Sequence, residues 1–186
     1  MTTQDDLFYI KQVKAGDIRA FSPIVSKYQK MVFTIVLKIV ANREDAEDIT
    51  QEVFVKAFKS LEQFKGEAVF STWLYRIAYN TTLSELRKRK LSFTPINDNL
   101  DTENELFTDD EELDAKEIKL QYLDETLQKL PPDEIFLVTL YYFREQSIEA
   151  ISQISNLTIA NVKVKLHRIR KKLALELTRL LENENR

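Results

Sequence analysis

The stretch Phe70–Lys90, FSTWLYRIAYNTTLSELRKRK, contains the chain's only tryptophan and ends in four consecutive cations. At about 100° per residue, its side chains divide between two sides of a helix. One side predicts a core stripe: Phe70, Leu74, Ile77, Ala78 and Thr81. The other side carries Trp73, Arg76, Asn80, Ser84 and Arg87. The spacing predicts a long amphipathic helix with a polar stripe that contains a tryptophan.

The polar stripe has two interpretations. Tryptophan is usually buried, so Trp73 is expected at the edge of a core. Arginine and asparagine bind phosphates and base edges, however, and an indole stacks on unpaired bases. The preceding segment, FKGEAV, adds Lys65 and a glycine for a tight turn, and Ser71 or Thr72 would cap the helix. We predict a nucleic-acid platform beside a loop placed to hold a flipped-out base.

The composition favours an all-α protein. Of 186 residues, 44% are hydrophobic and 31% charged, and only two glycines and four prolines interrupt helices. With no cysteine and His167 as the only histidine, disulfides, thiol nucleophiles and histidine metal clusters are excluded. The N-terminus lacks a signal pattern, and Lys38 interrupts the most apolar run, which is too short to span a membrane. We therefore expect a cytoplasmic protein that needs no cofactor.

The chain divides into two helical blocks around an acidic segment. Helical spacing extends from Phe8 to about Lys90 and from about Ala115 to Leu181. Between them, LSFTPINDNLDTENELFTDDEELD has little apolar content and many carboxylates. We predict small domains at 1–91 and 116–186, joined by a flexible acidic linker at 92–115. The net charge of −3 is therefore the sum of two blocks that carry basic clusters and an acidic linker between them.

A carboxylate face precedes the tryptophan helix. In NREDAEDITQEVFVKAFKSL the predicted buried stripe comprises Ala46, Ile49, Val53, Ala57 and Leu61. The residues left outside are Asp45, Asp48, Gln51, Glu52 and Lys59. Helical di-metal sites normally add histidine at helical spacing, so a metal site is not expected. The face is either plainly solvated or a docking surface for a polar partner.

The C-terminal block has the pattern of a helix-turn-helix. Pro131 and Pro132 separate two helices, and an apolar helix extends through Phe143. A short helix follows Ser147, and Asn156 provides a turn. The third helix buries Val162, Leu166, Ile169 and Leu173 and leaves outside Lys163, Lys165, His167, Arg168, Arg170, Lys171 and Lys172. We predict that this basic helix enters the major groove of DNA, the alternative being a helical hairpin with a solvated basic face.

Three motifs in this order resemble the extracytoplasmic function (ECF) subfamily of bacterial RNA polymerase sigma factors. DAEDITQEVFVKAF is similar to the helix that grips the polymerase, FKGEAVFSTWLYRIAYN with LSELRKRK to the promoter-opening segment, and NVKVKLHRIRKKL to the upstream recognition helix. The resemblance implies sigma region 2 in the first block and region 4 in the second. It covers nearly the whole chain outside the linker.

The resemblance implies roles for three sets of residues. Core polymerase would be bound by Asp45, Asp48, Gln51 and Glu52. The minus-ten element would be bound by Lys65, Phe70, Ser71, Thr72, Trp73, Arg76, Asn80, Arg87 and Lys88. The minus-thirty-five element would be bound by Lys163, Val164, Lys165, His167 and Arg168. An anti-sigma factor is also implied as a partner, membrane-bound or not, and no small-molecule substrate is expected.

The chain departs from the family pattern at four positions: Ala150, Ser152, Asn156 and Val164. Asparagine serves a turn as glycine does, whereas Val164 offers a methyl contact instead of a hydrogen bond. Two other functions compete with the resemblance. A dimeric helix-turn-helix regulator acting without polymerase leaves the carboxylate face and Trp73 unexplained. An enzyme using the carboxylates would lack a histidine partner and a phosphate-binding glycine loop.

Overall fold

The computed structural model describes residues 3–92 and 123–184, and within these ranges all regular structure is helical. The first block contains α1 (Thr3–Lys14), α2 (Ser22–Val40), α3 (Arg43–Lys59) and α4 (Phe70–Ser92), with 3₁₀ turns at Ile18–Phe21 and Leu61–Gln63. The second contains α5 (123–128), α6 (Pro132–Val138), a π-helical turn (Thr139–Phe143), α7 (Ile148–Ser155) and α8 (Ile159–Glu184). The all-α prediction is confirmed. Apart from Ser92, which ends α4, the predicted linker lies outside the described residues.

The core of the first block forms where α2, α3 and α4 meet. The predicted stripe on α3 is buried from Ala46 to Leu61, as expected, and packs with Phe70, Leu74 and Ala78 of α4. The break before α3 is local: Ala41 adopts a left-handed conformation that ends α2, and the Asn42 side chain accepts a hydrogen bond from the amide of Asp45. Helix periodicity and capping therefore set this bundle.

α1 is fastened to the bundle by buried polar groups. The carboxylate of Asp6 is almost fully buried and accepts hydrogen bonds from Lys27 Nζ and Tyr28 Oη. Burial and the neighbouring Asp6 carboxylate raise the pKa of Tyr28, so the phenol remains a donor. At the other end of α1, Lys14 Nζ donates to the backbone oxygens of Glu62 and Phe64 at 3.3 and 2.8 Å. α1 thereby holds the start of the segment that leads into α4.

The second block forms the predicted helix-turn-helix. Ser147 caps α7 through the amide of Ala150, and Asn156 has the left-handed conformation, with φ of 57°. Thr158 Oγ1 accepts from the amide of Asn161 at the start of α8. The buried stripe of α8 is confirmed: Val162, Leu166 and Ile169 are buried and Leu173 packs against them. The apolar segment before the turn continues to Phe143, but its last turn is π-helical.

The two blocks pack on one another through α2 and α4. Ile35, Ile39 and Tyr75 of the first block are buried together with apolar side chains of α6, α7 and α8. Helix α4 lies against both α6 and α7. None of the helices within residues 3–92 and 123–184 is long and apolar enough to cross a membrane.

Candidate nucleic-acid interface

The polar stripe of α4 lies at the surface of the first block. Arg76, Asn80 and Arg87 are exposed, and Ser84 is half-buried. Trp73 is also half-buried, and its ring lies 5.2 Å from the ring of Phe64 and 5.4 Å from that of Phe70, centroid to centroid. Both interpretations of Trp73 therefore hold in part, since it packs at the edge of the core and remains accessible beside Arg76.

Two residues assigned to DNA contact face the core instead. Phe70 is 1% exposed and Thr72 8% exposed, although the two lie about 200° apart on α4. The Phe70 ring contacts the rings of Tyr28 and Phe64, so the assignment of Phe70 to DNA is corrected. Helix α4 begins at Phe70, so Ser71 and Thr72 lie in its first turn and neither caps it. The amide of Thr72 donates to the backbone oxygen of Val69.

The loop before α4 is exposed and adjoins Trp73. All residues from Lys65 to Val69 are exposed, and Gly66 has φ of +79°, as the predicted tight turn requires. Among the described residues, a Cβ at position 66 would lie within 4 Å of Leu7 of α1 alone. The loop begins at Phe64, whose ring contacts Trp73 and whose carbonyl accepts from Lys14. The exposed loop beside Trp73 is thus anchored at one side by α1.

The carboxylate face of α3 is shared with cations of α4. Asp48 and Gln51 are exposed, while Asp45 and Glu52 are half-buried. Asp45 forms an ion pair with Arg89, and Glu52 pairs with Lys56 at 3.3 Å. A surface groove between the helices is lined by Asp48, Ile49, Glu52, Glu85, Lys88 and Arg89. The face is therefore a mixed-charge surface rather than a purely anionic one.

Lys88 belongs to this groove. Its ammonium group donates to Glu85 at 2.7 Å, and this bond lowers the pKa of the Glu85 carboxyl. Of the cations assigned to the minus-ten element, Arg87 is exposed on the other side. No group of three or more metal-ligating side chains occurs in the part of the chain that the structure describes.

The first half of α8 presents most of the predicted recognition residues. Lys163, Val164, His167 and Arg168 are exposed, and they lie opposite the buried stripe. Lys165 differs, because its Nζ donates to Asp133 Oδ2 at 2.7 Å and its side chain is half-buried. That hydrogen bond raises the pKa of Lys165. The expectation that Lys165 faces DNA is corrected for this state, in which α6 holds its charge.

Two residues at these surfaces were missed by sequence reasoning. Arg89 follows Lys88 in the cationic run, and only the packing of α4 on α3 identifies its pairing with Asp45. Lys14 is separated from the loop that it holds by about fifty positions. Val69, which belongs to the predicted loop FKGEAV, is an exposed apolar residue next to the start of α4.

Comparisons with known proteins agree with this geometry. Residues 24–91 match the family model Sigma-70 region 2, and residues 120–173 match Sigma-70, region 4. The chain is 34% identical over 177 residues to the ECF RNA polymerase sigma factor SigW of Bacillus subtilis (strain 168), covering 90% of this chain and 94% of the relative. It is 32% identical over 190 residues to the RNA polymerase sigma-H factor of Pseudomonas aeruginosa, covering 97% and 98%.

Two solved structures share the fold. CnrH, solved in complex with the cytosolic domain of CnrY, aligns with a TM-score of 0.68 at 22% identity, covering 94% of this chain and 97% of CnrH. The sigma factor RpoE of Bartonella quintana, solved with the anti-sigma factor NepR, aligns with a TM-score of 0.66 at 20% identity, covering 87% and 98%. Together with the two family matches and the relatives above 30% identity, these findings show that the chain belongs to the ECF sigma factors of bacterial RNA polymerase.

Proposed function

We propose that this ECF sigma factor directs core RNA polymerase to promoters and assists in melting them. The observation that carries the proposal is that two separate helices of one chain, α4 and α8, each expose side chains suited to nucleic acid. The stripe of α4 combines exposed Arg76 and Asn80 with an accessible indole, and α8 presents exposed cations after a helix-turn. The first combination suits separated strands, and the second suits duplex DNA.

The second block reads the upstream minus-thirty-five duplex in this proposal. The N-terminal half of a recognition helix meets base edges in the major groove, and here that half presents Lys163, Val164, His167 and Arg168. Lys and Arg reach guanine edges or phosphates, while the Val164 methyls suit the thymine methyl group. Lys165 joins this set only if it leaves Asp133.

The first block captures the minus-ten element. Lys65 and the exposed loop lie before α4, and Trp73 offers a partly exposed ring next to Arg76 and Asn80. An unpaired base stacked on this ring, with its phosphates bound by the arginines, would be held away from its complement. The contacting set is Lys65, Ser71, Trp73, Arg76, Asn80, Arg87 and Lys88, with Thr72 contributing only through its backbone and Phe70 through packing.

Polymerase is bound by the α3 face. Asp48 and Gln51 are exposed on one side of the helix, with Asp45 and Glu52 beside them. The exposed carboxylate of Asp48 would complement a cation of the partner and steer its association. Because the α4 cations also lie in this groove, polymerase binding would affect the helix that holds the DNA-contacting stripe.

A protein partner would control this activity, and the chain carries no catalytic chemistry of its own. Two sigma factors with the same fold were solved with partners, CnrY for CnrH and the anti-sigma factor NepR for RpoE. We extend that kind of partner to this chain as an anti-sigma factor, with the chain acting in the cytoplasm.

Run-off transcription tests the proposed function. Purified chain with core polymerase should yield promoter-specific transcripts from genomic fragments, and core polymerase alone should not. The competing function, a dimeric regulator that acts without polymerase, predicts specific binding of a palindromic duplex by the chain alone. Specific palindrome binding with no polymerase-dependent transcripts would replace our proposal with that function.

A further inference from the structure

Two cations of the recognition helix α8 are bound to carboxylates of α6. Lys165 Nζ donates to Asp133 Oδ2 at 2.7 Å, and Lys172 Nζ donates to both carboxylate oxygens of Glu134, at 2.9 and 2.8 Å. The two lysines are seven positions apart, so they lie on the same side of α8, two turns from one another. The two carboxylates are neighbours in the first turn of α6. We call Asp133 and Glu134 the acidic pair.

The acidic pair belongs to a firmly packed part of the second block. The residues that follow it on α6, 135–138, are at most 2% exposed and lie in the core that includes residues of α7 and α8. The side chains of Asp133 and Glu134 are themselves only 32% and 15% exposed. Because packing fixes the helix that carries them, the two carboxylates have defined positions and hold the lysines there.

The two paired lysines and the exposed recognition residues lie on different sides of α8. Lys165 and Lys172 lie beside the buried stripe, on the side where α8 packs against α6. Val164 and His167 lie opposite the buried stripe and are exposed. The contacts with the acidic pair therefore restrict rotation of α8 about its own axis and keep Val164 and His167 turned outward.

We propose that Asp133 and Glu134 are positioning residues of the recognition helix, which fix the face of α8 that meets the duplex and keep Lys165 and Lys172 from binding phosphate. The inference rests on the proposed function, since it concerns how α8 reads the minus-thirty-five element. Phosphate contacts add affinity for every sequence, whereas base contacts discriminate between sequences. Holding two lysines on α6 therefore lowers the affinity for unrelated DNA and leaves sequence discrimination to the exposed face.

The phosphate backbone of a bound duplex would compete with Asp133 for Lys165. A half-exposed ion pair contributes little stability by itself. Departure of Lys165 would, however, leave the half-buried Asp133 carboxylate unpaired, beside Glu134 and close to the negative charge of the DNA. The contact of Lys172 with both oxygens of Glu134 holds the same side of α8. We therefore expect both lysines to stay on the acidic pair when α8 binds.

The salt dependence of duplex binding tests this inference. Each phosphate contact by a lysine steepens the slope of log affinity against log salt concentration by about 0.9. Asp133→Asn preserves the shape of the side chain and releases the charge of Lys165, so the slope on a duplex of unrelated sequence should steepen by about 0.9. The ratio of affinities for upstream promoter and unrelated duplex should fall. Glu134→Gln should act in the same way through Lys172. Fluorescence anisotropy of the full chain measures both quantities.

Two further variants separate the release of a lysine from other effects. Asp133→Asn combined with Lys165→Gln removes both charges of the pair, so the native slope should return. Glu125→Gln removes an exposed carboxylate of α5 and changes the net charge as Asp133→Asn does, and it should leave the slope as it is in the native chain. If Asp133 served only the fold, Asp133→Asn would weaken binding, and the second substitution would not restore it.

Two results would overturn the inference. One is a native slope for both Asp133→Asn and Glu134→Gln. The other is a slope about 0.9 shallower than that of the native chain for Asp133→Asn with Lys165→Gln, because Lys165 would then leave Asp133 to bind phosphate. Run-off transcription assesses the proposed function separately. Steeper slopes without promoter-specific transcripts would refute the proposed function and leave the acidic pair's effect on phosphate binding intact, and transcripts with unchanged slopes would do the reverse.

Discussion

Trp73 lies where the core of the first block meets the exposed stripe of α4. Its ring packs on Phe64 and Phe70, and these contacts fix its orientation before any nucleic acid arrives. A ring held in this way loses little conformational entropy when a base stacks on its free face. In our proposal, the partial burial that gives Trp73 a structural role would also hold its ring in place for base stacking.

Replacing Trp73 with alanine should weaken open-complex formation on a duplex promoter. Base stacking on an aromatic ring is worth about 1–3 kcal/mol, which corresponds to about tenfold or more in a melting equilibrium. A template that is already melted should recover much of the activity, and Trp73→Phe should retain part of it. Open complexes can be measured by permanganate footprinting.

The competing explanation for a defect is loss of packing. Truncation of a buried aromatic residue costs about 3–5 kcal/mol of unfolding free energy. Thermal unfolding of the full chain distinguishes the two. A large loss of stability, without rescue on the melted template, would mean that Trp73 serves only the core.

Lys163→Ala and Arg168→Ala should each weaken binding to upstream promoter duplex. Loss of a bidentate base contact costs about 1–3 kcal/mol and relaxes sequence preference at one position. Loss of a phosphate contact weakens binding to all sequences and lowers the salt slope by about one unit. Fluorescence anisotropy at several salt concentrations measures both quantities.

Arg170→Ala is the matched control for these two variants, because Arg170 is exposed on α8 but outside the recognition set. It should change affinity less than either variant. If all three substitutions leave the affinity and the salt slope unchanged, α8 is not the recognition helix.

At the scale of helices, α3 combines a buried stripe with an exposed carboxylate face. Reversing charge with Asp48→Lys and Glu52→Lys should weaken binding to core polymerase by at least about tenfold, because opposed charges at an interface are replaced by like charges. Ile49 and Val53 remain, so the bundle should keep its fold. A pull-down with core polymerase and a circular dichroism spectrum provide the two measurements.

The neutral pair Asp48→Asn and Glu52→Gln serves as the graded control. It should give an intermediate loss of binding that is smaller at high salt, since exposed charges are screened. Equal polymerase binding by the native, neutral and reversed proteins would show that this face of α3 is solvated surface and does not bind polymerase.

The start of the loop before α4 is anchored to α1 by hydrogen bonds from Lys14. Lys14→Met keeps the aliphatic stem but removes the donor to the backbone oxygens of Glu62 and Phe64. Discrimination between the preferred minus-ten sequence and single-base variants should fall by about tenfold or more, since a hydrogen bond from a charged group contributes about 1.5–3 kcal/mol. Transcription from paired promoter templates measures this ratio.

Lys11→Met is the control on the same helix, because Lys11 is exposed on α1. It should leave the discrimination ratio as it is in the native chain. Identical ratios for native chain, Lys14→Met and Lys11→Met would show that α1 does not position the loop.

Across the whole molecule, features that act within one helix were predictable and contacts between distant helices were not. The turn at Asn156, the cap at Ser147 and the buried stripe of α8 depend on local spacing and side-chain chemistry, and all are confirmed. The pairing of Lys165 with Asp133 depends on how α6 packs against α8, which periodicity does not encode. The sequence placed Phe70 both in the core stripe of α4 and in the DNA-binding motif. In the structure its side chain is buried in the first core.

The packing of one block on the other could not be predicted from the sequence for the same reason. Ile35 and Ile39 are ordinary apolar positions of an amphipathic helix, and the sequence pattern does not indicate which of two cores receives them. In the structure they join the C-terminal helices instead of the first core. A few side chains of α2 and α4 therefore supply the first block's part of this contact.

Ile39→Asp should weaken the packing of the second block on the first. Ile39 is 6% exposed, so a carboxylate at this position would have to be desolvated without a partner. The second block should therefore separate from the first in most molecules. A compact chain of 186 residues has a radius of gyration of about 16 Å, and small-angle X-ray scattering should give a clearly larger value for the variant. Ile18→Asp, at a position that is 68% exposed, should leave the radius as in the native chain. A radius unchanged by Ile39→Asp, in a variant whose helix content is native, would show that the second block is not held by this contact.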